Sequence, residues 1–277
     1  MSVEHSYLHL LEQCLASPVR ETRNAHCHSF FGAFLEHDLA EGFPLLTTKK
    51  VFFRGVLEEL AWFLRGSTSN QELMEKGVSI WQKNAEVYDP EFHDELGAAY
   101  GFSWRFFGAK YVNCKTDYTG QGVDQIASII RDIRDSPNSR RHVLSGWNPS
   151  QPACLPPCHV LYQFYVENDG RLSVQLYQRS GDLFLGVPFN LASTALLTHL
   201  IAHECDLEVG TLRIIVGDAH IYTEHIDAVR EQLGRIPKPL PQISIVREKD
   251  GLWNLKEDDV VVMNYNPEPR IRAPMIA

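Results

Sequence analysis

The 277-residue chain has no apolar run approaching the ~18 residues that a membrane-spanning helix needs, which argues against a membrane role. It also lacks internal repeats, low-complexity tracts and blocks of like charge, which excludes solenoid arrays and disordered interaction tails. Positive charge is scarce. Lysines and arginines number 26 against 35 aspartates and glutamates, a formal net charge of −9. The molecule as a whole should therefore repel DNA and anionic lipid, and any phosphate it binds must be held by a local arginine cluster. The six cysteines, at 14, 27, 114, 154, 158 and 205, lack the framework of a disulfide scaffold. No signal peptide precedes them, so reduced thiols in the cytoplasm are expected. Cys154, Cys158 and His159 have no second ligand cluster at matching spacing, so no metal is expected. Nothing reads as a linker. With 44% hydrophobic and 22% charged residues, the composition is ordinary for a globular protein, and residues 1–277 are expected to form a single domain.

Periodicity gives a coarse order of elements. Tyr7, Leu8, Leu10, Leu11 and Leu15 predict an amphipathic helix within the first twenty residues. Strands are predicted from Ser29 to Leu39 and from Phe43 to Thr48, then a helix from Val56 to Leu64 stopped by Gly66. The polar stretch from Trp81 to Leu96 reads as a surface insertion, and Val123 to Ile133 as a helix. Val143 to Trp147, Val160 to Val166 and Leu172 to Tyr177 read as strands, and Leu191 to Cys205 as a buried helix followed by Gly210.

Chemistry concentrates in one region. Leu155-Pro156-Pro157-Cys158-His159 is followed by Gln175-Leu176-Tyr177-Gln178-Arg179-Ser180-Gly181-Asp182 and then Gly186-Val187-Pro188-Phe189-Asn190. A free cysteine titrates near ~8.5 and is a good nucleophile at neutral pH only where cations or donors stabilise the thiolate; Arg179 is a candidate cation. The plain alternative is that Cys158 is one more small buried hydrophobe. The two prolines weigh against it, since they remove amide donors a core strand would use and make a rigid approach to the side chain.

These blocks, together with Asp218-Ala219-His220-Ile221-Tyr222, resemble the signatures of the thymidylate synthase family, in the family's order, from about Gly32 to Ala277. The resemblance implies a single α+β domain, with a twisted mixed β-sheet covered by helices and forming the interface of a homodimer. It implies reductive methylation of dUMP to dTMP with 5,10-methylenetetrahydrofolate as donor of carbon and hydride. Cys158 would add to position 6 of the pyrimidine, activating position 5 toward the electrophile. Asn190 would complement the oxygen and N3 hydrogen of uracil, although it could instead cap a helix ahead of Leu191. Phosphate would be met by Arg179, Ser180, Arg23 and the pair Arg140-Arg141, which would reach in from the partner subunit; His220 and Tyr222 would contact the sugar. Glu59 would order water and relay protons, and Glu58, at an offset of one, must point about 100° away on a helix. Tyr100 is implicated in proton removal. Ile80, Trp81, Asn84, Asp182, Leu185, Gly186 and Phe189 would line the folate, Lys49 would meet its glutamate tail, and the C-terminal segment ending in Ile276 and Ala277 would close over it.

Several departures from the family pattern lie near this site. The loop from Arg23 to Ser29 is altered and one residue shorter, leaving Arg20 as a rival to Arg23. Gly97-Ala98-Ala99-Tyr100-Gly101 lacks the usual proline, Gln82 stands where an acidic residue is common, the segment from Asn148 to Cys158 is about two residues short, and Ala277 replaces a larger residue. If these changes admit water, the methylene intermediate would become hydroxymethyl, as in a dUMP hydroxymethylase. Retention of Trp81, Asn84, Tyr100 and the tail favours the methylating enzyme. A catalytically silent relative acting as a nucleotide- or RNA-binding protein would be expected to lose Cys158 or Glu59. A cysteine hydrolase would need His159 to activate its immediate neighbour, which strand geometry opposes.

Overall fold

The computed structural model describes residues 2–22, 25–151 and 153–276. In chain order the elements are α1 (Val3–Leu15), β1 (Val19–Glu21), β2 (His26–Asp38), α2 (Phe53–Arg65), α3 (Asn70–Glu75), α4 (Gln82–Tyr88), α5 (Tyr100–Arg105) and α6 (Gln125–Asp135). They continue with β3 (Val143–Ser145), β4 (His159–Val166), β5 (Leu172–Asp182), α7 (Gly186–Glu204), β6 (Val209–Tyr222), α8 (Ile226–Leu233), β7 (Gln242–Ile245) and β8 (Val260–Met263).

Six strands form one mixed sheet in the order β1-β2-β6-β5-β4-β3, and β7 pairs with β8 apart from it. Within the large sheet only β5 and β6 run parallel, joined by α7 as the crossover helix. α7 is apolar on every side and mostly buried, as a central helix must be. Period-two alternation turns Leu35, Leu176, Ile214, Tyr162 and Phe164 into the core. The opposite face leaves Phe34, Tyr165 and Tyr177 exposed. Gly32, with φ 92°, is skipped in the β2·β6 register between Phe31↔Asp218 and Ala33↔Val216, and Phe31 beside it is 83% exposed. α2 ends on Gly66, whose left-handed φ of 75° lets its N–H reach the Phe63 carbonyl. Among the described residues no helix is long and apolar enough to cross a membrane.

One predicted strand is absent. Phe43 to Thr48 is buried but unpaired with any strand. Its polar groups are satisfied by a carboxylate instead: the buried Glu4 of α1 accepts the N–H groups of Thr47 (2.8 Å) and Thr48 (2.6 Å) and both of their hydroxyls. Tyr265 adds its hydroxyl, which donates to the Leu46 carbonyl and accepts the Val51 N–H, each at 2.9 Å. Once those partners are supplied, burial no longer requires a sheet. The stretch after Trp81 is mainly surface, as expected, but carries α4.

Candidate active site

Cys158 sits immediately before β4, half-buried, with its backbone held at both ends. Its N–H donates to the Tyr100 hydroxyl at 2.7 Å, and its carbonyl accepts the Arg179 N–H at 2.9 Å. The Arg179 guanidinium donates to the carbonyls of Pro157 (3.0 Å) and Pro156 (2.5 Å). The rigid approach expected from the two prolines is thus fastened by an arginine. His159 points its chemistry elsewhere: its Nδ1 meets the Tyr162 hydroxyl at 2.9 Å, and burial, partly offset by Asn190, lowers its pKa to about 4. An imidazole engaged by Tyr162 and made weakly basic by burial is a poor activator for Cys158, against the hydrolase reading.

A proton-handling chain runs back from the cysteine. Tyr100 begins α5 and stacks on Phe63 at 5.0 Å. Burial, followed by the neighbouring Cys158, pushes its pKa well above that of an ordinary tyrosine, so the hydroxyl keeps its proton. Trp81 packs edge-on against Tyr100 at 5.8 Å and donates its indole N–H to Glu59 at 2.8 Å. Burial in the Leu57 to Leu64 environment raises Glu59 to about 7, against the opposing effect of the indole bond. Glu58 faces another way and pairs with Lys76 at 3.8 Å.

Asn190 lies inside α7, which begins at Gly186, so the helix-cap alternative is excluded. Its Oδ1 accepts from the Gln178 amide at 2.9 Å, which fixes the orientation of the Asn190 side chain. Gln178 was visible in its sequence block, but nothing in the pattern gave it this task. β5 and β6 place the remaining groups on paired rungs, with Ser180 opposite Asp218 and Asp182 opposite His220. The His220 Nδ1 lies 3.3 Å from Asp218, which also faces Arg20 at 4.0 Å; Tyr222 packs edge-on against His220 at 5.1 Å. Asp182 accepts the N–H groups of Phe184 (2.8 Å) and Leu185 (3.2 Å). Burial raises its pKa, but His225, His220 and the Phe184 N–H outweigh burial and hold it below the usual carboxylate value. Tyr7 steadies the same turn by donating to the Leu183 carbonyl at 2.8 Å.

Leu185 and Phe189, half-buried at the start of α7, and Ile80, ahead of α4, pack against the core as apolar walls, with Trp81 buried among them and Gly186 and Asn84 beside them in sequence. Three expectations need placement. Lys49 is buried, donates to the Phe184 carbonyl and lies 3.5 Å above the Phe184 ring, and burial lowers its pKa to about 7 despite Asp182. Arg140 and Arg141 are exposed ahead of β3, without side-chain partners among the described residues. Arg23 and Ala277 lie outside the described residues. The tail before Ala277 is docked, since Lys83 of α4 donates to the Met275 carbonyl and His225 to that of Pro274, both at 2.8 Å. The departures are accommodated too. Glu95 accepts the Gly97 N–H at 2.9 Å, which secures the turn where the proline is missing. Gln82 is occupied with Glu86 and Asn70, and the shortened segment docks through Cys154 N–H to the Leu96 carbonyl at 2.9 Å.

A family profile described as thymidylate synthase matches residues 5–277. The chain belongs to the thymidylate synthase family. A thymidylate synthase of equine herpesvirus 2 is 48% identical over 97% of this chain and 96% of its own length, and one of Ascaris suum is 49% identical over 89% and 87%. A bifunctional dihydrofolate reductase-thymidylate synthase of Paramecium tetraurelia is 45% identical over 98% of this chain, which spans 61% of that longer protein. Membership of the thymidylate synthase family makes this a folate-dependent enzyme, and its α+β fold is the one the sequence implied.

Proposed function

We propose that the chain, as one catalytic domain, converts dUMP to dTMP, with 5,10-methylenetetrahydrofolate supplying both the one-carbon unit and the hydride. The observation that carries this reading is the contiguity of nucleophile and proton relay: Cys158 bonded to Tyr100, and Glu59, with a pKa of about 7, bonded to Trp81. Cys158 forms a bond to position 6 of the uracil ring and pushes electrons toward position 5 and the ring oxygen. Asn190, held by Gln178, presents its amide to that oxygen and to N3, and Glu59 moves protons through ordered water. Tyr100, protonated in the resting site, takes the proton at position 5 only as it passes its own hydroxyl proton on to ordered water. Arg179, Ser180 and Arg23 meet the phosphate, and His220 and Tyr222 the sugar.

The residues around Trp81 fit a reduced folate: a carboxylate acceptor in Asp182, apolar walls in Ile80, Leu185 and Phe189, and polar Asn84 at the rim. Bound there, the folate supplies the carbon unit and then two electrons as hydride. Trp81 and the docked tail to Ile276 exclude water at that stage. A hydroxymethylase outcome is not favoured, because the relatives over nearly the whole chain are named thymidylate synthase.

The working unit in this proposal is a homodimer in the cytoplasm, built on the outer face of the sheet. Phe31, Phe34, Tyr165 and Tyr177, at 83, 50, 47 and 37% exposure, make an apolar surface that favours a partner, and that pairing brings Arg140 and Arg141 to the neighbouring site. The test is incubation with dUMP and methylenetetrahydrofolate, following dihydrofolate by absorbance and the nucleotide by mass. Equimolar thymidylate and dihydrofolate are expected, and Cys158→Ala should abolish turnover while nucleotide still binds. Turnover of that variant within tenfold of wild type would remove Cys158 from the mechanism.

A further inference from the structure

His225 is completely buried between the proposed folate site and the C-terminal tail. Its Nε2 lies 2.8 Å from the Pro274 carbonyl, which can only accept, so Nε2 carries a hydrogen. Its Nδ1 faces Asp182 Oδ2 at 3.7 Å, an ion-pair contact slightly too long for a hydrogen bond. Phe184 and Tyr222 pack their rings against the imidazole at 5.6 and 5.5 Å, closing it off from water.

We infer that His225 is a positioning residue that latches the tail shut as an imidazolium, so that closure over the folate is coupled to a proton. The argument is one of donors. Only the doubly protonated ring can serve the Pro274 carbonyl and the Asp182 carboxylate together. A neutral ring has one N–H, for which the Asp182 carboxylate and the Pro274 carbonyl then compete. Loss of the proton therefore weakens the hold on the tail and shifts it toward the Lys83 to Met275 anchor.

The charged surroundings agree in sign. Burial disfavours the charge, but Asp182, the Pro274 carbonyl and Glu224 raise the His225 pKa overall. His220 and Lys49 act on Asp182 from β6 and the Thr47 to Lys49 segment, and Tyr7 on α1 feels the same carboxylate. A raised histidine pKa means the latch is fully present below the ordinary value of ~6.5 and is lost as pH rises through the higher docked value.

Carboxypeptidase release of the C-terminal residues from the full chain, without substrate, tests this. The reference is His225→Gln, whose uncharged amide can still donate to Pro274, assayed at the same pH values so that the protease's own pH dependence cancels. Between pH 6 and pH 8 the wild-type rate, relative to the variant, is expected to rise about tenfold, the size of losing one hydrogen bond to a charged donor. An unchanged ratio overturns the latch. If the variant does not fold, nitrogen chemical shifts of His225 in the wild type decide: two protonated ring nitrogens at pH 6 are expected, and a neutral tautomer there overturns the proposal. The catalytic consequence rests on the proposed function: the folate KM should rise with pH in the wild type and stay flat in His225→Gln, with dUMP binding unmoved. A protein whose tail behaves as expected but which makes no thymidylate would refute the activity and leave the latch standing.

Discussion

Glu59 should make the protein less stable as it becomes competent to act as a base. Its carboxyl titrates at about 7 in the folded chain against an ordinary glutamate value of 4.5. As pH rises through that interval the unfolded chain releases its proton while the folded chain still holds one, so unfolding becomes progressively easier. With one pKa unit equal to ~1.36 kcal/mol, the cost is about 1 kcal/mol at pH 5 and about 3 kcal/mol at pH 8. Glu59→Gln keeps an acceptor for the Trp81 indole and removes the titration. The variant should therefore gain about 2 kcal/mol over the wild type between pH 5 and pH 8, while losing turnover. Urea denaturation at both pH values, at one protein concentration because a dimer's stability depends on it, reads the difference directly. A variant whose advantage is the same at pH 5 and pH 8 would show that Glu59 is not held neutral by burial, and the proton relay would lose its physical basis.

Other outcomes follow from the same geometry. Asn190→Asp should shift preference toward cytosine nucleotides, measured as the ratio of kcat/KM for dCMP and dUMP; an unchanged ratio would make Asn190 purely structural. Glu4→Ala strands the buried N–H groups of Thr47 and Thr48 and should cost about 3–5 kcal/mol by urea denaturation; a loss below 1 kcal/mol would mean that water replaces the carboxylate. Phe31→Glu, on the exposed outer face, should convert a dimer to a monomer by sedimentation and abolish activity through loss of Arg140 and Arg141; an active monomer would contradict the shared site.

Much of the fold was legible because its long helices carry the apolar period that burial demands. α2 and α6 lie within three residues of their expected bounds, α1 falls inside the first twenty residues, and the buried helix of α7 begins five residues early. The failure at Phe43 to Thr48 has a definite cause: an apolar run marks burial, and nothing local says whether a strand or a distant carboxylate will satisfy its backbone. Apart from its end at His220 and Tyr222, β6 went unread, although Leu212, Ile214 and Val216 alternate inward along it. Of the site, the motif residues could be placed on their elements because the motifs are contiguous. Gln178, Tyr7 and His225 could not, since each acts through a partner between 12 and 176 residues away. Nor does the sequence say that Lys49 is buried, with its ammonium over the Phe184 ring.

The segment from Leu46 to Val51 is fastened from both ends of the chain at once. Glu4 holds it from the start; Tyr265 and Glu268, whose N–H donates to the Thr47 carbonyl at 2.7 Å, hold it from the finish. On a ribosome that order of events matters. Thr47 and Glu4 are made more than two hundred residues before Tyr265, and the wall of the cleft carrying Lys49 cannot set until Tyr265 and Glu268 emerge. A nascent chain stalled short of Tyr265 would therefore hold this wall through Glu4 alone.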